Sequence, residues 1–127
     1  MKPGSRKPKV LIVDDDGDIR NFIRYCLESL TQCDMAGGGE AALEKFTAAM
    51  RSREPYDLVL LDILMPGLNG RQVLEKLRNL ESAAGKEYLE GVKVVMLTAL
   101  DDTGNVLQSF KHGCDSYLVK PFDENDL

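Results

Sequence analysis

The chain is punctuated by short, unbroken apolar runs that stop on polar residues. Lys9-Val10-Leu11-Ile12-Val13 stops at Asp14-Asp15-Asp16, and Leu58-Val59-Leu60-Leu61 stops at Asp62. Val94-Val95-Met96-Leu97 stops at Thr98, and Tyr117-Leu118-Val119 stops at Lys120. Runs without polar alternation suit strands covered on both faces, as in a parallel sheet. Between the runs, apolar residues fall three and four apart, which marks amphipathic helices. Ile19, Phe22, Ile23, Cys26, Leu27 and Leu30 make one stripe, and Ala42, Leu43, Phe46, Ala49 and Met50, closed off by Pro55, make a second. Val73, Leu74, Leu77 and Leu80 mark a third helix. Val106, Leu107 and Phe110 mark a fourth, weakened by Gly104 and closed at Gly113. A poorly marked strand lies near Cys33-Asp34-Met35-Ala36. Alternating strands and helices with right-handed crossovers give an α/β fold, a doubly wound parallel sheet of five strands.

Length and charge narrow the functions open to such a fold. The 127 residues make one domain with enough chain to bury a core, preceded by a short flexible tail over residues 1–8. Sixteen basic residues against 21 acidic ones leave a net charge of −5, which disfavours a dedicated nucleic-acid binder. No apolar run nears the ~20 residues that span a bilayer, and the N-terminus lacks the apolar segment of a secretory signal. Cys26, Cys33 and Cys114 are an odd number with no C-x-x-C, as expected for reduced thiols in the cytoplasm.

In a doubly wound sheet, sites form outside the carboxyl ends of the strands. Asp14, Asp15, Asp62, Thr98 and Lys120 therefore share one edge. Clustered carboxylates repel unless a proton or a cation neutralises them. A hard divalent ion such as Mg²⁺, which is held by few carboxylates and keeps waters and phosphate oxygens, suits the set. A lysine and a hydroxyl beside an aspartate complete the requirements of phosphoryl transfer, in which the carboxylate can itself be the nucleophile.

These residues also match a family. The segments Val10 to Asp15 (VLIVDD), Leu58 to Gly70 (LVLLDILMPGLNG), Val94 to Ala99 (VVMLTA) and Asp115 to Phe122 (DSYLVKPF), in this order, resemble the receiver domain of two-component response regulators. The resemblance runs from Lys9 to the end of the chain, so the domain is read as residues 9–127. It implies the flavodoxin-like strand order 2-1-3-4-5. It implies Asp62 as phosphoacceptor, Asp15 as direct Mg²⁺ ligand with Asp14 assisting, and the backbone carbonyl of Leu64 as a further ligand. Thr98 takes the place of the switch hydroxyl, Lys120 that of the lysine bridging carboxylate and phosphoryl oxygen, and Tyr117 that of the aromatic switch. The implied donor is the phosphohistidine of a sensor histidine kinase or a histidine phosphotransfer protein. The resemblance also admits a homodimer and a C-terminal effector domain beyond this segment, and implies no direct nucleic-acid or membrane contact by the domain.

Other residues read as structural. Asp16 and Asp18 belong to the start of the first helix, where negative charge is favourable. Gly37-Gly38-Gly39 lacks the phosphate-loop pattern G-x-x-x-x-G-K-[ST] and reads as a plain loop. His112 sits beside Gly113 at a helix end. Three features depart from the family pattern. Leu64 and Leu100, two residues after Asp62 and Thr98, are apolar and cannot orient an attacking water. The connection from Glu81 to Gly91 is long. The final helix is represented only by its acidic first turn, Asp123 to Leu127. Two other functions share part of this pattern. An Asp-nucleophile phosphohydrolase expects a second aspartate where Leu64 stands, and a receiver that is never phosphorylated does not need the intact acid set.

Overall fold

A computed structural model describes residues 7–85, 91–99 and 113–120. Strand β1 (Lys9–Val13), helix α1 (Gly17–Leu27), β2 (Gln32–Ala36), α2 (Gly39–Arg51), β3 (Leu58–Asp62), α3 (Gly70–Ala83), β4 (Lys93–Ala99) and β5 (Ser116–Lys120) follow one another along the chain. The strands form one sheet in the order β2-β1-β3-β4-β5, and every neighbouring pair is parallel. The five-stranded parallel sheet is the one expected from the apolar runs, and its order is the one the family resemblance implies. The fourth helix, with His112 and Leu100, and the segment from Pro121 onward lie outside the described residues.

The apolar runs behave as two-faced strands. Leu11, Val13, Val59, Leu61, Val94 and Met96 point to one side, against Phe46 of α2 and Val73, Leu74 and Leu77 of α3. Val10, Ile12, Leu60 and Leu97 point to the other, against Ile23 of α1. Consecutive side chains alternate between two cores, so neither face tolerates a polar residue until the strand ends.

Several local expectations need correction. Leu30 does not extend the stripe of α1: the helix ends at Leu27, and Leu30 and Phe22 are exposed. Gly39 is not loop but the first residue of α2, with Gly38 as its N-cap. A Cβ at Gly39 would lie 2.7 Å from both Leu68 Cβ and Val73 Cγ2, so a glycine lets α2 start hard against the neighbouring layer. Helix α2 stops at Arg51, ahead of Pro55, where Arg53 turns to φ 61°. Glu81 to Ala83 are not part of a loop; they are the last turn of α3. Glu81 is buried because its Oε1 accepts from Arg78 at 2.7 Å and its Oε2 from the backbone N–H of Val92 at 2.7 Å. Arg78 also donates to the carbonyls of Val92 and Gly113, tying α3 to the leading ends of β4 and β5. A charge is tolerated there because it is paired and hydrogen-bonded throughout.

Helix α3 starts with a reciprocal cap. Asn69 accepts from the Gln72 N–H while the Gln72 side chain accepts from the Asn69 N–H. Next to it, Gly70 donates its N–H to the Ile63 carbonyl at 2.8 Å. A Cβ at Gly70 would collide with the Asp62 carbonyl oxygen and come within 2.8 Å of Ile63 Cα. Gly70→Ala must therefore push α3 away from the end of β3, overpacking a tight contact at a cost of about 1–3 kcal/mol. Urea denaturation reads this as a lowered midpoint; an unchanged midpoint would contradict the close approach.

Candidate functional site

The parallel register delivers the strand ends to one place. Val13 stands beside Ala36 and Leu61, Asp62 stands beside Leu97, and Ala99 stands beside Lys120. Asp14 follows β1 directly and its N–H donates to the Ala36 carbonyl at 3.2 Å, so the chain turns only after the carboxylate is placed. Asp16 then caps α1, accepting from the Asp18 N–H at 2.9 Å, as expected for an acid at a helix start.

Carboxylate oxygens of Asp14, Asp15 and Asp62 all lie within 4.8 Å of one another. Asp14 and Asp62 are buried and Asp15 is exposed. The Lys120 ammonium reaches between the two buried acids, with Nζ 2.9 Å from Asp14 Oδ2 and 3.3 Å from Asp62 Oδ1. Two full negative charges at 4.8 Å repel by about 3 kcal/mol at an effective dielectric of about 20. One ammonium offsets one of three carboxylates, and the pocket retains the charge of the other two.

Burial and this imbalance together set the ionisation of the site. Burial pushes the Asp62 carboxyl up to about 7; the charges of Asp14 and Asp15 push the same way, and Lys120 opposes them. Burial alone would lower the Lys120 pKa, but the hydrogen bond and charge of Asp14, together with Asp62, outweigh it and raise it. Asp14 Oδ1 accepts the Asp16 N–H at 2.9 Å. Asp14 Oδ2 is buried against the Lys120 ammonium at 2.9 Å, a contact that leaves the oxygen further acceptor capacity. A buried oxygen with spare acceptor capacity in a pocket of three hard oxygen donors fits a small divalent cation such as Mg²⁺.

The remaining expected residues fall as follows. Thr98 is buried on β4, one residue beyond the partner of Asp62. Leu64 follows β3 with an exposed side chain. Tyr117 pairs with Met96 in the sheet, three residues before Lys120, and the residue is 44% exposed. The strand ends thus bring Asp14, Asp15, Asp62 and Lys120 into direct proximity, with Thr98 next in register. Sequence reasoning missed Arg20 of α1, whose Nη1 donates to the Asp14 carbonyl at 2.6 Å. As an arginine outside the apolar stripe it reads as a solvated helix residue, which gives no hint of that contact.

Comparison with known proteins agrees with this geometry. The profile of the response regulator receiver domain matches residues 10–127. The transcriptional regulatory protein ResD of Bacillus subtilis is 34% identical over 124 residues, covering 97% of this chain and 46% of that protein. The DNA-binding response regulator MtrA of Mycobacterium bovis is 36% identical over 122 residues, covering 95% of this chain and 47% of that protein. The chain thus spans about half the length of these curated relatives. A response regulator receiver domain protein from Clostridium thermocellum superposes with a TM-score of 0.79 at 28% identity, over 94% of this chain and 86% of that one. The chemotaxis protein CheY4 of Vibrio cholerae gives a TM-score of 0.77 at 26% identity, over 94% and 92%. With the strand order, the acidic pocket and the matched profile in agreement, the chain belongs to the response regulator receiver domain family.

Proposed function

We propose that Asp62 is the phosphoacceptor of this receiver and that it takes its phosphoryl group from the phosphohistidine of a sensor histidine kinase or a histidine phosphotransfer protein. The Lys120 ammonium lodged between Asp14 and Asp62 carries this reading. Asp14, Asp15 and Asp62, with the backbone carbonyl of Leu64, would hold Mg²⁺. When bound, the cation offsets the surplus negative charge of the pocket and of the phosphoryl oxygens. An Asp62 carboxylate oxygen forms the new O–P bond as the P–N bond of the phosphohistidine breaks. The imidazole departs with the electron pair and takes up a proton from solvent. Lys120 pairs with a phosphoryl oxygen, and the Thr98 hydroxyl donates to another. Movement of Thr98 frees space for Tyr117 to turn inward, reshaping the face around β4 and β5.

On this reading the domain catalyses its own phosphorylation and dephosphorylation and serves as a regulatory module in the cytoplasm. Among the described residues no helix is long and apolar enough to cross a membrane. The relatives named as a transcriptional regulatory protein and as a DNA-binding response regulator are about twice as long. An effector domain beyond this segment would supply the output, without direct nucleic-acid contact by the receiver. A phosphohydrolase is disfavoured because Leu64 stands where its second acid belongs.

Three outcomes follow. Incubation with acetyl phosphate and Mg²⁺ yields one phosphoryl adduct in the intact mass, and Asp62→Ala yields none; turnover of donor without an adduct would contradict the acceptor role. Mg²⁺ binding requires the Asp62 carboxylate, whose pKa is raised to about 7. Protons compete with the cation below that value, so apparent Mg²⁺ affinity rises as pH increases through 7 and levels off above it. A calorimetric titration series that is flat across this range would contradict the assignment. The exposed apolar Leu64 offers no group to orient a hydrolytic water. The phosphorylated form therefore decays slowly, and Leu64→Asn shortens its lifetime by roughly tenfold; decay within seconds in the parent chain, or an unchanged lifetime in Leu64→Asn, would contradict this.

A further inference from the structure

Arg20 stands apart from the carboxylates yet touches the backbone that carries two of them. Its Nη1 donates to the Asp14 carbonyl oxygen at 2.6 Å, across six residues and over the first turn of α1. That carbonyl belongs to the peptide joining Asp14 to Asp15, the buried and the exposed acid of the pocket. The same stretch is held at other points: the Asp14 N–H by Ala36 at 3.2 Å, and Asp14 Oδ1 by the Asp16 N–H at 2.9 Å. With these in place, the orientation of the peptide between the two acids is fixed by the guanidinium.

The guanidinium itself is seated by two glycines. A Cβ at Gly17 would lie 3.3 Å from Arg20 Nη2, and a Cβ at Gly37 would lie 3.2 Å from Arg20 Nη1. Neither glycine has a positive φ, so backbone freedom does not explain their presence. Their missing side chains leave room for the head of Arg20. Gly37 belongs to the turn after β2, so the arginine joins that turn, the start of α1 and the end of β1.

We propose that Arg20 is a positioning residue for the cation pocket, aiming the Asp14–Asp15 peptide from a slot formed by Gly17 and Gly37. The inference rests on the reading of Asp14, Asp15 and Asp62 as the Mg²⁺ site. Partners that orient metal-ligating groups typically change affinity by about 10- to 100-fold when removed. Charge acts in the opposite direction, because a guanidinium near an acidic pocket repels a cation and its loss would tighten binding. The sign of the change therefore separates orientation from charge.

The test is direct Mg²⁺ titration by calorimetry on the parent chain, Arg20→Ala and Gly37→Ala, with thermal melting of each. Gly37→Ala keeps the arginine's charge and crowds its head. Positioning weakens Mg²⁺ binding about tenfold in Arg20→Ala and by a smaller factor in Gly37→Ala. Amide resonances of Asp15 and Asp16 shift in both metal-free variants. Tighter binding in Arg20→Ala, with Gly37→Ala unchanged, would assign the arginine to charge and overturn the proposal. Lowered melting temperatures with unchanged affinity in both variants would assign it to stability and also overturn it. Failure of the parent chain to bind Mg²⁺ would instead overturn the metal site itself, a result distinguishable from both.

Discussion

The ion contacts of Lys120 are the constraint around which the site is organised. A single ammonium sits 2.9 Å from Asp14 and 3.3 Å from Asp62, two buried acids at the ends of adjacent strands. Burying carboxylates is costly unless they are paired. Lys120 offsets part of that cost, and the parallel sheet places all three residues without any long loop. The pocket is still left with more negative charge than positive. Burial, reinforced by the charges of Asp14 and Asp15, raises the Asp62 pKa to about 7, and the surplus negative charge suits a divalent cation.

The two ends of the sheet contrast in how they handle charge. At the leading ends of β4 and β5, a partly buried Arg78 meets a buried Glu81: each carboxylate oxygen of Glu81 has a donor, and Arg78 donates to two backbone carbonyls. That pairing makes a rigid staple. At the trailing ends, Asp14 Oδ2 keeps spare acceptor capacity and the acids outnumber the ammonium. A saturated network suits structure, whereas an unbalanced one suits binding and chemistry. The close approach of Gly70 to the end of β3 supports the second end, since it holds α3 against the backbone that carries Asp62.

Much of this was legible in the sequence, for a physical reason. Strands buried on both faces cannot admit polar residues, so the runs around Ile12, Leu60 and Met96 declare themselves, and the acids that end them declare the site. What stayed hidden depends on contacts between segments distant in the chain. Glu81 looks like a solvated loop acid until Arg78 and the Val92 N–H are brought to it. Gly39 looks like loop until Leu68 and Val73 crowd it. Arg20 looks like an ordinary helix arginine until the Asp14 carbonyl lies beneath it. Leu30 and Phe22 have the right spacing for a core stripe but lie beyond what the sheet covers.

The central claim is that the carboxylate paired with Lys120 at the end of β3 receives the phosphoryl group. The most direct measurement is to phosphorylate the chain from a phosphohistidine donor with Mg²⁺, reduce the acyl phosphate with borohydride, and locate the resulting homoserine by peptide mass mapping. The account predicts conversion at Asp62 alone. Conversion at Asp14 or Asp15, or transfer that leaves every aspartate unmodified, would contradict it.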